Sequence, residues 1–66
     1  MKIKKFDVVE LKDNNRATIL ETEKNQYFAE IVNSYGITVE NRYITQEEIG
    51  KVIYSRNNKN KIKTDL

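Results

Sequence analysis

Short segments rich in β-branched and aromatic residues recur about every ten residues along this sequence, and polar turn residues separate them. The predicted strands cover residues 6–12, 16–23, 27–33, 37–43 and 51–55. The turns between the first four contain Asn, Asp or Gly, which accept the left-handed backbone angles of tight hairpins. One flat sheet of such strands would leave an apolar face in water. The spacing therefore favours an all-β domain closed into a small barrel.

The pattern changes between the fourth and fifth predicted strands. Thr45 precedes Glu48 by three residues, which is the spacing of a capping box. In that motif the Thr hydroxyl and the Glu carboxylate accept hydrogen bonds from the free backbone N–H groups of a helix start. We expect one helical turn here, ending at Gly50 in a left-handed cap.

The length of 66 residues allows one small domain with a marginal core. We assign residues 1–55 to this domain. Residues 56–66 are dominated by Asn, Lys and Arg, and only Ile62 and Leu66 are apolar. Such a composition does not repay the entropy of ordering, so it predicts a disordered basic tail.

Alternation along the strands indicates which side chains share a face. In the fourth strand Ile37, Val39 and Tyr43 alternate with Thr38, Glu40 and Arg42. Three aromatic residues are expected to complete a core that contains no Trp, namely Phe6, Tyr27 and Tyr54. Tyr35 lies beside Gly36 in a predicted hairpin loop and is expected to be exposed.

The missing residue types exclude much chemistry. Without Cys or His the chain has no disulfide, no thiolate nucleophile, no Cys or imidazole metal site and no His-based proton transfer. The two glycines, Gly36 and Gly50, form no phosphate-binding loop. We therefore expect no enzymatic activity and no cofactor. The absence of Cys favours the cytoplasm, and no apolar run is long enough for a signal peptide or a membrane span.

Charge is distributed unevenly, although the net charge is only +2. Three lysines lie in residues 2–5, and residues 55–66 carry four basic residues and one acidic residue. Residues 6–54 hold five basic and nine acidic residues, a net charge of −4. The basic residues of the two ends are Lys2, Lys4, Lys5, Arg56, Lys59, Lys61 and Lys63. They either contact a nucleic-acid backbone or keep the protein soluble, and the acidic body favours the second role.

The acidic residues raise the question of a metal site. Glu21 and Glu23 lie two apart on a predicted strand, and Glu40 is a third candidate. Carboxylate oxygens suit a hard cation such as Mg²⁺. A solvated acidic face explains the same residues more simply, so we expect no metal.

The order of four meander strands, one helical turn and a fifth strand resembles that of the SH3-like barrels. Residues 6–13, 17–20 and 27–32, which read FDVVELKD, ATIL and YFAEIV, are similar to small bacterial SH3-like proteins and to KOW-type modules. In place of the usual KOW glycine, the first turn has Asp-Asn-Asn at residues 13–15. The resemblance implies a five-stranded SH3-like barrel that binds other macromolecules.

These observations predict a non-catalytic binding module that docks on another protein, as an accessory or inhibitor protein of bacterial, phage or mobile-element origin. The expected contact is an exposed strand edge, used for strand addition or for homodimerisation. The predicted contact residues are Tyr35, Leu20, Val32 and Glu40. Nucleic-acid binding through the two basic ends is the alternative.

Overall fold

Residues 2–55, which the computed structural model describes, form five antiparallel strands in one sheet and one short 3₁₀ helix. The elements are β1 (Val8–Leu11), β2 (Arg16–Thr22), β3 (Tyr27–Val32), β4 (Thr38–Ile44), η1 (Gln46–Glu48) and β5 (Ile49–Tyr54). The all-β prediction, with one helical turn before the last strand, is confirmed. The predicted disordered tail, residues 56–66, lies outside the described residues. Within residues 2–55 no helix is long and apolar enough to cross a membrane.

The sheet has the strand order β4-β3-β2-β1-β5. The first four strands form a meander, and β5 returns to pair with β1 rather than with its neighbour in sequence, β4. In this pairing β4 and β5 are the two edge strands of the described sheet. Closure into a barrel therefore stays a prediction.

One face of the sheet carries the hydrophobic core. Its buried residues are Ile3, Val9, Leu11, Ala17, Ile19, Ala29, Ile31, Ile44 and Ile49. The register places core residues directly opposite one another, as in the row Val9, Ala17 and Ile31 across three strands. Tyr27 packs against this cluster, as the sequence predicts. The alternation of residues in β2 and β3 therefore predicts correctly which face of the sheet is buried.

Two of the three aromatic residues assigned to the core are not in it. Phe6 is 46% exposed and Tyr54 is 39% exposed, so the prediction is wrong for both. Tyr54 pairs with Val8, which places it on the sheet face opposite the core residue Val9. Phe6 has a φ of 72° in the turn before β1, and the next residue, Asp7, takes the buried position instead.

The fourth strand alternates in sequence but is exposed almost throughout. Ile44 is its one buried residue, because the positions of β4 opposite the core residues Ile31 and Ala29 are occupied by Glu40 and Arg42. A register shift between the pairs Ile31–Glu40 and Val32–Thr38 also interrupts the regular alternation near the start of the strand. The apolar residues Val39 and Tyr43 thus face solvent, whereas Ile44 belongs to the core.

The capping-box spacing predicts the start of η1 correctly and its end wrongly. The Thr45 N–H donates to Glu48 Oε2 at 2.9 Å, and the Glu48 N–H donates to the Thr45 carbonyl at 3.0 Å. The helix ends at Ile49 in extended conformation, and Gly50 already belongs to β5. A Cβ at Gly50 would lie 3.3 Å from the Glu10 carbonyl oxygen, so this glycine accommodates close approach to β1 rather than a left-handed cap.

Candidate functional site

The turn between β3 and β4 presents Tyr35 to solvent. Asn33 organises this turn: its Oδ1 accepts hydrogen bonds from the Tyr35 N–H at 2.9 Å and the Ile37 N–H at 3.1 Å. The Gly36 N–H donates to the Asn33 carbonyl at 3.0 Å, and Gly36 has a φ of 82°. Tyr35 is 86% exposed, which confirms its predicted position in an exposed loop.

The predicted contact residues do not form one cluster. Tyr35 and Val32 line a common groove of about 450 Å³ between the β1–β2 turn and the β3–β4 turn. Leu20 lies at the irregularity of β2, between the pairs formed by Ile19 and Glu21, and it is half-buried. Glu40 lies on β4 and forms an ion pair with Arg42 at 3.3 Å. The structure therefore brings together two of the four residues and places the other two elsewhere.

The groove beside Tyr35 carries both signs of charge. Arg16 lies directly opposite Glu10 on β1 and directly opposite Val32 on β3. Glu10 is in turn opposite Lys51 of β5, so positive, negative and positive side chains alternate across three strands. This mixed surface can border a docked polypeptide. It lacks the concentrated positive charge that an isolated phosphate or carboxylate ligand requires.

A second cavity, of about 260 Å³, lies between the β1–β2 turn and η1. Two of the charged groups that line it form an ion pair, in which Arg42 Nη1 donates to Glu48 Oε1 at 2.9 Å. This hydrogen bond raises the pKa of Arg42. The hydrogen bond from the Thr45 backbone N–H, followed by the contact with Arg42, lowers the pKa of Glu48. Both ionised groups are thus engaged in holding η1 against β4.

Three of the seven exposed large apolar or aromatic residues of the described part of the chain lie on or beside β4. Ile37, just before the strand, is 60% exposed; Val39 and Tyr43 within it are 51% and 48% exposed. Their alternation in the sequence predicts one shared face for these three residues, but none of them is among the predicted contact residues. The missing information is the position of β4 at the sheet edge, which depends on β5 pairing with β1.

Contacts within the sheet hold the side chains of β4 in place. The ring of Tyr43 packs against Phe28 with ring centroids 5.0 Å apart. Its hydroxyl donates to Glu23 Oε2 at 3.0 Å, which raises the pKa of Tyr43. Thr38 Oγ1 donates to Glu30 Oε2 at 2.6 Å. A partner therefore meets a largely ordered surface, which reduces the entropy lost on binding.

The basic residues of the amino-terminal end are exposed, and one of them, Lys5, has an acidic partner. Lys5 Nζ lies 3.2 Å from Glu21 Oε2 and 5.3 Å from the centroid of the Phe6 ring. Lys2 and Lys4 are exposed. The basic residues assigned to the other end, Arg56, Lys59, Lys61 and Lys63, lie outside the described residues.

The three carboxylates considered as metal ligands each have another partner. Glu21 pairs with Lys5, Glu23 accepts from Tyr43, and Glu40 pairs with Arg42. Among residues 2–55 no group of three or more Asp or Glu residues is placed to hold a metal ion.

One buried acid is not anticipated from the sequence. Asp7 is 2% exposed, and its Oδ2 accepts a hydrogen bond from the Lys4 N–H at 2.9 Å. Its Oδ1 has no hydrogen-bond partner among the described residues. The Asp7 main chain also bonds to Lys4 and Ile19, so the residue fastens the amino-terminal segment to β2. This role is structural.

Comparisons of the chain with protein-family models, with curated proteins and with solved structures find no match.

Proposed function

We propose that this protein is a small non-catalytic binding module that docks on another protein through the free edge of β4. The supporting observation is an edge strand of seven residues flanked and lined by exposed apolar side chains, Ile37, Val39 and Tyr43. An exposed edge offers unpaired backbone N–H and C=O groups to an incoming strand, and alternate side chains supply specificity. The absence of His and Cys from the sequence supports binding rather than catalysis. The absence of Cys also supports a location in the cytoplasm.

The other edge strand, β5, is less suited to this role. Its pairing with β1 contains two register shifts, against one in the pairing of β4 with β3, and its exposed residues include Lys51. Irregular pairing and lysine side chains are devices by which proteins protect sheet edges from further pairing. In β4 the charged residues Glu40 and Arg42 neutralise each other instead. The asymmetry favours β4 as the docking edge.

The partner that fits this edge is an extended segment with apolar side chains at alternate positions. Tyr35 and the groove beside it adjoin the amino-terminal end of β4 and extend the contact surface. The partner would then contact Val32 through the groove, whereas Leu20 would lie away from the docked segment.

The test uses a displayed library of random ten-residue peptides, selected on the full chain. Selected peptides are titrated into ¹⁵N-labelled protein while amide resonances are recorded. We expect the largest shifts at residues 37–43, because strand addition changes the hydrogen bonding of those backbone groups. The matched variants are Ile37→Lys beside the β4 edge and Ile53→Lys on the β5 edge, which make the same chemical change at opposite sides of the sheet.

Ile37→Lys should weaken binding of the selected peptides at least about tenfold, whereas Ile53→Lys should leave it within about twofold. Peptides whose shifts map to β5, or binding that is equally sensitive to both substitutions, would overturn the assignment of the edge. Failure to select any peptide on a chain that is monomeric in solution would count against a strand-binding module.

A further inference from the structure

The sequence of β4 is self-complementary about its central residue. The strand reads Thr-Val-Glu-Asn-Arg-Tyr-Ile from Thr38 to Ile44, with Asn41 at its centre. Oppositely charged residues, Glu40 and Arg42, flank Asn41, and apolar residues, Val39 and Tyr43, flank the charged pair. Two identical strands with this symmetry can therefore pair antiparallel, with each residue opposite a complementary one.

We propose that the occupant of the β4 edge is a second copy of this chain, paired antiparallel as β4 with β4′ about a twofold axis beside Asn41. This proposal rests on the proposed function and specifies its partner. The two five-stranded sheets would join into one continuous sheet. In this register Asn41 lies opposite Asn41′, Glu40 opposite Arg42′, and Val39 opposite Tyr43′.

The geometry of antiparallel pairing limits the register to a few choices. Directly opposed side chains lie on the same face of a sheet, so a twofold axis must pass beside a residue rather than between two. An axis beside Glu40 would place Glu40 opposite its own copy, and an axis beside Arg42 would do the same for Arg42. Like charges directly opposite each other are destabilising, whereas the Asn41-centred register forms two opposite-charge pairs.

The apolar pair supports the same register. Val39 and Tyr43 are each about half exposed in the single chain, so each has apolar surface still to bury. A β-branched residue opposite an aromatic residue is a favourable cross-strand pair. Phe28 and Glu23 already hold the Tyr43 side chain, so little further ordering is needed.

The charged pair requires only a local exchange of partners. Arg42 Nε now lies 3.3 Å from Glu40 Oε2 of the same strand, and both side chains are partly exposed. In the dimer Arg42 would keep its contact with Glu48 and exchange Glu40 for Glu40′. Backbone pairing along β4 and the contact of Val39 with Tyr43′ are then net gains.

The first measurement is sedimentation equilibrium of the full chain from about 10 µM to about 1 mM. We expect the mass to rise from 7.8 kDa to twice that value. A mass that stays at 7.8 kDa to the highest concentration would overturn the proposal, as would growth without limit, which signals open β4–β5′ chains rather than a closed dimer.

Two charge reversals test the register. Glu40→Arg alone places Arg opposite Arg42′, and Arg42→Glu alone places Glu opposite Glu40′. Each should weaken self-association at least about tenfold, because like charges then meet twice in the interface. An equimolar mixture of the two variants should associate again, since every opposed pair becomes complementary. Loss of association without recovery in the mixture would contradict the register.

Cysteine cross-linking supplies a test that leaves Arg42 and its contact with Glu48 intact. The chain contains no Cys, so Asn41→Cys introduces a single thiol beside the proposed axis. The Cα atoms of directly opposed residues lie about 4.5–5.5 Å apart, within the range of a disulfide. Asn41→Cys should form disulfide-linked dimers much faster than Asn25→Cys in the β2–β3 turn or Ile53→Cys on β5. Equal rates would overturn the proposal.

Failure of the dimer and failure of the proposed function give different results. A chain that stays monomeric, with slow Asn41→Cys cross-linking, but whose residues 37–43 shift with selected peptides, refutes the second copy and keeps β4 as a docking edge. A monomeric chain that binds no peptide refutes both.

Discussion

At the scale of single residues, Asp7 is unusual because its acidic side chain is buried. A carboxylate that is 2% exposed loses most of its hydration, and one of its two oxygens has no partner among the described residues. Its other oxygen holds the Lys4 N–H, which fixes the segment containing the core residue Ile3. Asp7 therefore stabilises the fold by fixing the amino-terminal segment, although only one of its two carboxylate oxygens is hydrogen-bonded among the described residues.

Two substitutions of Asp7 separate the effect of the hydrogen bond to Lys4 from the effect of the buried charge. Asp7→Ala removes the acceptor of the Lys4 N–H and should lower the free energy of unfolding by about 1–3 kcal/mol. Asp7→Asn keeps a carbonyl oxygen for that N–H and removes the negative charge, so it should lose less. Urea denaturation of the three proteins measures the difference. If Asp7→Ala proved as stable as the parent, the bond to Lys4 would contribute nothing.

At the scale of elements, η1 shows how a three-residue helix positions an edge strand. Glu48 accepts from the Thr45 N–H and from Arg42 of β4, so one carboxylate joins the helix start to the strand. The same contacts lower its pKa below the ordinary value of 4.5. The ionised form is therefore favoured by folding, and its contribution is present above about pH 4.5 and disappears as the pH falls through the lowered pKa.

Glu48→Gln should therefore be less stable than the parent at about pH 7, by up to about 1 kcal/mol because solvent screens these partly exposed groups. The difference should shrink as the pH falls from about 4.5 through the lowered pKa of Glu48, because the parent then also becomes neutral at this position. Thermal unfolding across this pH range measures it. The control is Glu47→Gln, which changes the neighbouring acid. A pH dependence as large in the control would show that Glu48 is not the responsible group.

At the scale of the whole molecule, charge argues against nucleic acid as the partner of the described domain. Residues 2–55 carry eight basic and nine acidic residues, and Lys5 of the basic amino-terminal end pairs with Glu21. Phosphate binding depends on many uncompensated positive charges, each of which releases counterions. The exposed apolar edge of β4 instead suits a protein.

We accordingly expect the full chain to leave the fluorescence anisotropy of labelled single- and double-stranded oligonucleotides unchanged at about 50 mM salt and at about 200 mM salt. The contrary result would be micromolar binding at the lower salt that weakens steeply at the higher one. Such binding would favour the alternative function through the basic ends.

Much of the fold was predictable because its signals are local. The turns around Asn14 and Gly36, the alternation of Ala17 with Ile19 and of Ala29 with Ile31, and the spacing of Thr45 and Glu48 each act within a few residues. Asn14 and Gly36 indeed have the positive φ that such turns need, 75° and 82°. Predictions that relied on these signals agree with the structure, except that η1 ends at Ile49 and not in a left-handed cap at Gly50.

The sequence by itself thus determined the strands, the hairpins and the exposure of Tyr35, since hydrophobic period and turn chemistry are properties of neighbouring residues. Tertiary structure decided which strands became edges, because the pairing of β5 with β1 joins residues some forty positions apart. That one pairing places Tyr54 outside the core, brings Gly50 against Glu10 and leaves β4 with a free side. The register of β4 with β3 decides the rest: Glu40 and Arg42 lie opposite the core residues Ile31 and Ala29, and Val39 and Tyr43 are left exposed.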